Sequence, residues 1–149
     1  MRTTATARLA VVPEDYRACR GLLPATEQCW LAYPTVMVYR GEQLVGFLAT
    51  RPFKEVGKRI VAGPLYMIPE RATIFLARRI QEAYERYLGS VPGVTFYEFH
   101  VAHGNSRWRE FVEGCVDRYG LAERRTVTSS GTWYRRYLPS TGLVLGRAS

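Results

Sequence analysis

The sequence predicts one α/β domain built on a mixed, mostly antiparallel sheet of about seven strands, with helices on both faces. Three observations carry that expectation. Short β-branched and apolar runs are interspersed with three segments of helical periodicity. Tight turns join successive runs, which makes antiparallel pairs, and one long helical segment between two strands has the length of a crossover, which makes one parallel pair. The chain has 149 residues, 47% of them apolar, enough to bury a sizeable core in a single domain. That domain is expected over residues 1–138, with 139–149 as a loose tail.

Residues 7–12, ARLAVV, read as a strand ended by Pro13, whose fixed φ suits the first turn of a helix, and Glu14 and Asp15 place negative charge at that helix's positive end. Tyr16, Cys19, Leu22 and Leu23 fall at helical spacing as its inward face, and Pro24 stops it. Residues 24–34 carry Trp30 and Tyr33 and read as a loop with a few helical turns at most, packing over a core edge or forming a substrate lip. Residues 35–40 and 43–50 are strands joined at Gly41-Glu42 by a tight hairpin turn. After the polar loop 51–59, a fourth strand covers 60–68. It contains Gly63-Pro64, and a proline cannot donate to a ladder, so the strand is expected to bulge or to lie beside a gap in the sheet.

The helix that follows is the plainest element. Leu76, Ile80, Ala83, Tyr84 and Tyr87 form its apolar stripe, Glu82 and Arg86 stand four apart on its polar side, and Gly89 ends it. Residues 94–102 alternate as a strand, with Phe96, Glu98, His100 and Ala102 on one face and Tyr97, Phe99 and Val101 on the other. A last helix covers 107–119, with Trp108, Phe111, Val112, Cys115 and Tyr119 inward and Gly120 as its stop. A final hairpin joins 122–128 to 132–138 around Ser129-Ser130-Gly131.

The most informative stretch is residues 60–88, where a strand runs through Pro69-Glu70-Arg71 straight into a helix. A helix start presents unpaired N–H groups and the positive end of the peptide dipole, a natural place for a phosphate. This junction resembles the acyl-CoA-binding segment of the GNAT (Gcn5-related N-acetyltransferase) superfamily. The order of elements over roughly residues 5–138 resembles it too, as does the run from Val101 through Asn105 into a helix ending Tyr119-Gly120-Leu121. The resemblance implies a GNAT fold and transfer of an acetyl or acyl group from acetyl-CoA or a related acyl-CoA to an amine. It implies strands four and five splayed into a V, with the pantetheine on strand-four backbone around Leu65 and Met67. The pyrophosphate would lie on the loop Arg71, Ala72, Thr73, Ile74 and Phe75, with Asn105 beyond.

That loop departs from the family pattern. Arg/Gln-x-x-Gly-x-Gly/Ala is replaced by Arg71-Ala72-Thr73-Ile74-Phe75-Leu76, and bulky side chains stand where bare backbone would approach a phosphate. Two readings stay open: the start of an ordinary packed helix, or a phosphate cradle helped by the Thr73 hydroxyl and by Arg71, Arg78 or Arg79. Phe75, Tyr66 and Phe96 are the side chains able to plug the cleft. Acyl transfer needs a base for the amine proton and often an acid for the thiolate. Glu98 and His100 share one strand face and are the candidate bases, with His103 at the strand end. The resemblance implies an acid tyrosine about two turns past Asn105; Phe111 and Val112 stand there, leaving Tyr119 as the candidate. The alternative to an enzyme is a GNAT-fold structural or interaction protein without the chemistry. The chain is similar to the short arginine-rich GNAT-like proteins of tailed bacteriophages, and a virion component is one form such an interaction protein takes.

Composition limits the partners. Lys and Arg total 21 against 13 Asp and Glu, a net charge of +8 that is almost all arginine, since Lys54 and Lys58 are the only lysines. Such a balance favours acidic partners: CoA phosphates and an acidic protein surface are compatible with it, as is nucleic acid by charge alone, without a recognition motif, while the amine substrate is what the resemblance implies. Self-association or a place in a larger assembly stays open. Three separated cysteines, Cys19, Cys29 and Cys115, form neither a disulfide frame nor a zinc site, and His100-x-x-His103 lacks a third ligand, so no metal is expected. With no long apolar run and no signal-like N-terminus, the expectation is a soluble protein of the cytoplasm, or of the virion.

Overall fold

The computed structural model describes residues 5–23, 25, 35–51, 60–69, 74–104, 106–120 and 122–138; the side chains of residues 51, 106–108 and 119 fall outside that description. The elements run β1 (Ala5–Leu9), α1 (Pro13–Arg20), β2 (Thr35–Arg40), β3 (Gln43–Arg51), β4 (Val61–Met67), α2 (Ile74–Gly89), β5 (Phe96–Ala102), α3 (Ser106–Tyr119), β6 (Arg124–Val127) and β7 (Gly131–Tyr137). All seven strands join one sheet in the order β1-β2-β3-β4-β5-β7-β6. Every neighbouring pair is antiparallel except β4 and β5, which the crossover helix α2 makes parallel. The mixed α/β fold class expected from the sequence is the one observed. The Trp30 and Tyr33 loop, Cys29 and the tail lie outside the described residues.

Each element has a local cause. The β2–β3 turn closes in two residues because Gly41 adopts φ 62°, which side chains with a Cβ rarely take. Pro13 opens α1, and Asp15 reaches back from its first turn to accept from Val11 N at 3.0 Å while Arg8 of β1 grips the same carboxylate at 2.7 and 2.8 Å. That grip, with the Val11 amide, holds the Asp15 carboxyl well below the usual carboxylate range and ties α1 to the sheet's edge strand. The helix stops at Arg20, three residues earlier than its apolar spacing suggests. Leu23 therefore still reaches the core through the turn that follows, while Leu22 is 40% exposed.

Alternation divides the core into two layers. Val36 and Val38 face α2 and Met37 faces α1, so β2 is buried on both sides. Tyr97 packs with α2 and Val101 with α3; they share one face of β5, so α2 and α3 cover the same side of the sheet and α1 covers the other. The α1 cluster reaches only β2, β3 and β4. The face of β5, β7 and β6 on the α1 side is covered by none of the described helices.

α2 lies close against β3 at Gly46, where a Cβ would stand 2.6 Å from Ile80 Cδ1 and 3.0 Å from the Tyr66 carbonyl oxygen. Ile80 is 1% exposed and held on all sides, so it has little room to give. Gly46→Ala is expected to destabilise the fold by about 1–3 kcal/mol, seen as a lower denaturant midpoint at an unchanged slope.

Candidate active site between two parting strands

β4 and β5 meet at one bridge, Val61 opposite Glu98, where Glu98 N donates to Ile60 O at 2.9 Å. β4 then runs on to Met67 and β5 to Ala102, and among the described residues no further ladder pairing joins them. The cause lies in β4. On its β3 side, Leu48 pairs with Leu65 and Thr50 with Ala62, so β4 advances three residues where β3 advances two. The extra residue is a bulge at Gly63-Pro64, where proline has no N–H to offer and Gly63 takes φ 139°. β5 meanwhile stays paired to β7 along all seven residues. The sequence expectation offered a bulge or a gap beside this strand, and the structure holds both.

Strand geometry assigns the walls of this notch. Ile68 N donates to Val45 O at 2.9 Å, so Ile68 faces β3, and alternation turns the peptide groups of Met67 and Leu65 the other way, toward β5. On the opposite wall Glu98 N–H points at β4, and His100 is the next residue aimed in that direction. The notch opens toward the ends of the strands that lead into α2 and α3. α2 begins at Ile74 with no acidic residue in its first turn to neutralise its free N–H groups. Arg71, Ala72, Thr73 and Asn105 lie outside the described residues. Ile74 is half-buried, and Phe75 is 81% exposed and turned to solvent.

Two of the three side chains able to plug the cleft pack on neighbouring rings. Besides the exposed Phe75, Tyr66 stacks on Phe47 against the α1 layer with centroids 5.5 Å apart, and Phe96 packs on Tyr137 at 5.9 Å.

Glu98 stands at the vertex, 6% exposed, its Oε2 accepting from Arg135 Nε at 3.0 Å and from the second guanidinium nitrogen at 2.9 Å. His100, two residues toward the mouth on the same face, packs on Trp133 with centroids 4.8 Å apart. Its ring has room because β7 carries Gly131, where a Cβ would stand 2.6 Å from His100 Nε2. The structure thus brings Glu98 and His100 onto one face beside the notch. His103 does not join them: it is exposed, with Nε2 2.7 Å from Thr128 O in the last hairpin. Tyr119 is the final residue of α3, roughly 20 Å along the helix axis from Ser106, and its side chain is outside the description. Phe111 and Val112, where the resemblance implies a tyrosine, pack against Val101 and Tyr134 in the core. Among the described residues no group of three metal-ligating side chains occurs, and burial pushes the Cys19 thiol up to about 12 and the Cys115 thiol up as well.

The sequence reading missed a buried polar network under the vertex. Tyr97 Oη donates to Glu85 Oε2 at 2.8 Å and accepts from Gln81 Nε2 at 2.9 Å, and Arg136 Nε donates to the same Glu85 oxygen at 2.8 Å. Arg136 continues to Gly120 O at 2.9 Å and Glu123 Oε1 at 3.3 Å. Burial first, then Glu85, holds the Tyr97 phenol well above its ordinary range, so it is a fixed donor at neutral pH. Its ring meets Tyr84 edge-on at 5.3 Å, and Tyr84 Oη lies 2.8 Å from Thr50 Oγ1 of β3. One signal was available: Gln81 and Glu85 stand one residue after Ile80 and Tyr84, so they border the apolar stripe of α2. Glu85→Ala takes the carboxylate from the Tyr97 hydroxyl and from a part-buried guanidinium that keeps Gly120 O and Glu123, and is expected to cost about 1.5–3 kcal/mol in equilibrium unfolding, against about 1 kcal/mol for Tyr97→Phe, which leaves the ion pair intact.

No protein-family model matches this sequence, and no curated protein matches it significantly. Solved structures match its fold. A Desulfovibrio desulfuricans protein assigned to the GNAT family of acetyltransferases superposes with a TM-score of 0.68 at 16% identity, covering 91% of this chain and 100% of its own. The Paenibacillus lautus diaminobutyrate acetyltransferase EctA, solved with L-2,4-diaminobutyric acid and coenzyme A, gives 0.65 at 12% identity, covering 91% and 96%. The Vibrio cholerae spermidine/spermine N-acetyltransferase SpeG gives 0.60 at 17% identity, covering 97% of each chain. This chain has the fold of the GNAT acetyltransferases.

Proposed function

We propose that this chain is a GNAT-like N-acyltransferase that moves an acetyl or related acyl group from acyl-CoA to an amine. The observation that supports it best is the notch: two parallel neighbours joined at Val61 and Glu98 only, with peptide groups of Leu65 and Met67 left facing the gap and a helix start at its mouth. Acyl-CoA supplies an acyl group activated as a thioester. Leu65 and Met67 would hold its pantetheine through their backbone. Arg71, Ala72, Thr73, Ile74 and Phe75 would hold its phosphates, and Asn105 the opposite rim.

Glu98 or His100 removes the amine proton, directly or through one water, because both project beside the vertex from one face of β5. The amine nitrogen then forms the new C–N bond, the thioester C–S bond breaks, and the departing thiolate takes a proton, for which Tyr119 is the candidate donor. The enzymes of this fold named above act on polyamines and on a diamino acid, so both acceptor classes belong in a first screen.

A second reading, a non-catalytic GNAT-fold interaction protein with an acidic partner or a place in a larger particle, is favoured by two observations. Apolar core side chains stand at 111 and 112 in place of an acid, and Ile74, Phe75 and Leu76 replace the glycines of the phosphate loop. Among the described residues no helix is long and apolar enough to cross a membrane, which both readings accept.

Acetyl-CoA at about 100 times its dissociation constant is expected to stabilise the fold by about 2.7 kcal/mol, a rise of several degrees in Tm. In a coupled thiol-release assay, one of Glu98→Gln and His100→Gln, whichever removes the base, is expected to lower kcat by about 10²-fold or more while that Tm rise persists. A rise without thiol release from any amine supports the second reading. No rise at millimolar acetyl-CoA rejects the acyltransferase.

A further inference from the structure

We propose that the acceptor is an amine that also carries an anionic group, a carboxylate or a phosphate, held by Arg124 and Arg135 beside Glu98, on the sheet face that none of the described helices covers. The inference rests on the acyltransferase reading and names its acceptor class. Cross-strand register puts Glu98 opposite Arg135 and Arg135 opposite Arg124, so the three form one row across β5, β7 and β6. Directly paired residues project to the same side of a sheet. That side is the one covered by none of the described helices.

The charges of the row are uneven. Its single carboxylate, Glu98, is buried and already bonded to Arg135. Arg135 also lies over the Phe96 ring, 4.2 Å from its centroid, which fixes its plane. Arg124 is exposed, and among the described residues no carboxylate pairs with it. Both guanidiniums also reach the Tyr137 phenol and hold it below its ordinary range, Arg135 first, as expected where positive potential concentrates. The neighbouring row, His100 and Trp133, adds no negative charge.

Such a surface discriminates by charge. A diamine that presents one nitrogen to Glu98 would carry its second cation onto Arg124, with no second carboxylate in the row of described residues to receive it. An amine with an anionic far end gives Arg124 the planar, two-oxygen partner that a guanidinium binds best. The Cα atoms of Glu98 and Arg124 are two strand spacings apart, about 10 Å, and the side chains span part of that distance, so a spacer of a few carbons fits. The chemistry is the acyl transfer already written: the new C–N bond forms at the amine, and the anionic group is unchanged.

The test uses matched acceptors with the full chain and saturating CoA or acetyl-CoA: 4-aminobutyrate, O-phosphoethanolamine and putrescine. By isothermal titration, at least one anionic amine is expected to bind about tenfold or more tightly than putrescine. Its acetylation should show a similar advantage in kcat/KM, and the preferred anion identifies the carboxylate or the phosphate as the natural source. Arg124→Glu should abolish the advantage through KM, with Tm and the acetyl-CoA-induced rise unchanged, because the side chain is exposed. Putrescine binding as tightly as both anionic amines, or none of the three binding at millimolar concentration, overturns the acceptor assignment. The Tm rise with acetyl-CoA then decides separately whether the acyltransferase reading stands.

Discussion

A strand can hydrogen-bond on both edges only while its backbone keeps step with both neighbours, and β4 keeps step with one. The residue added at Gly63-Pro64 is accommodated against β3 as a bulge, and the strand leaves β5 after a single bridge. The other elements that matter to function take their places from that departure. Leu65 and Met67 have peptide groups to spare because β5 is not there to take them. Glu98 sits at a vertex because it is the last residue to be paired.

An opening in the middle of a sheet is costly unless its edges are held from elsewhere, since unpaired buried peptide groups lose their hydrogen bonds to water. β5 is held on its far edge by β7 along its full length. On the α2 face it is held by Tyr97, whose hydroxyl is locked between Gln81 and Glu85, with Arg136 closing the network onto β7. On the other face Glu98 and Arg135 make a second tie across the same two strands. The vertex is therefore clamped from both sides by a buried carboxylate paired to a part-buried guanidinium, whose directional bonds keep a geometry that apolar packing alone leaves loose.

Much of this was legible in the chain. Period-two and period-3.6 patterns set the order and, within a residue or two, the bounds of β2, β3, β4, α2, β5 and α3, because each pattern is local and strong. Pro64 marked the fault in β4 because a missing N–H is a property of the residue itself. Alternation through Glu98 and His100 put both on one face before any partner was known. The first helix was read three residues too long, since Leu22 and Leu23 continue the apolar spacing while the backbone turns at Gly21. The polar network was not legible: Arg136 lies 51 residues from Glu85, and Arg135 lies 37 from Glu98.

Local chemistry, then, was enough to specify the strands and helices, the hairpins, the single crossover and the weak point in β4, because hydropathy period, turn glycines and proline act over a few residues. Three-dimensional packing alone settled which charges neutralise one another and that Tyr66 packs on Phe47 and Phe96 on Tyr137 while Phe75 faces solvent. It also settled that Arg124 and Arg135 gather beside Glu98. Those outcomes depend on which distant strand becomes a neighbour and in what register, and a register is set by the fit of whole faces, which no short stretch of sequence contains.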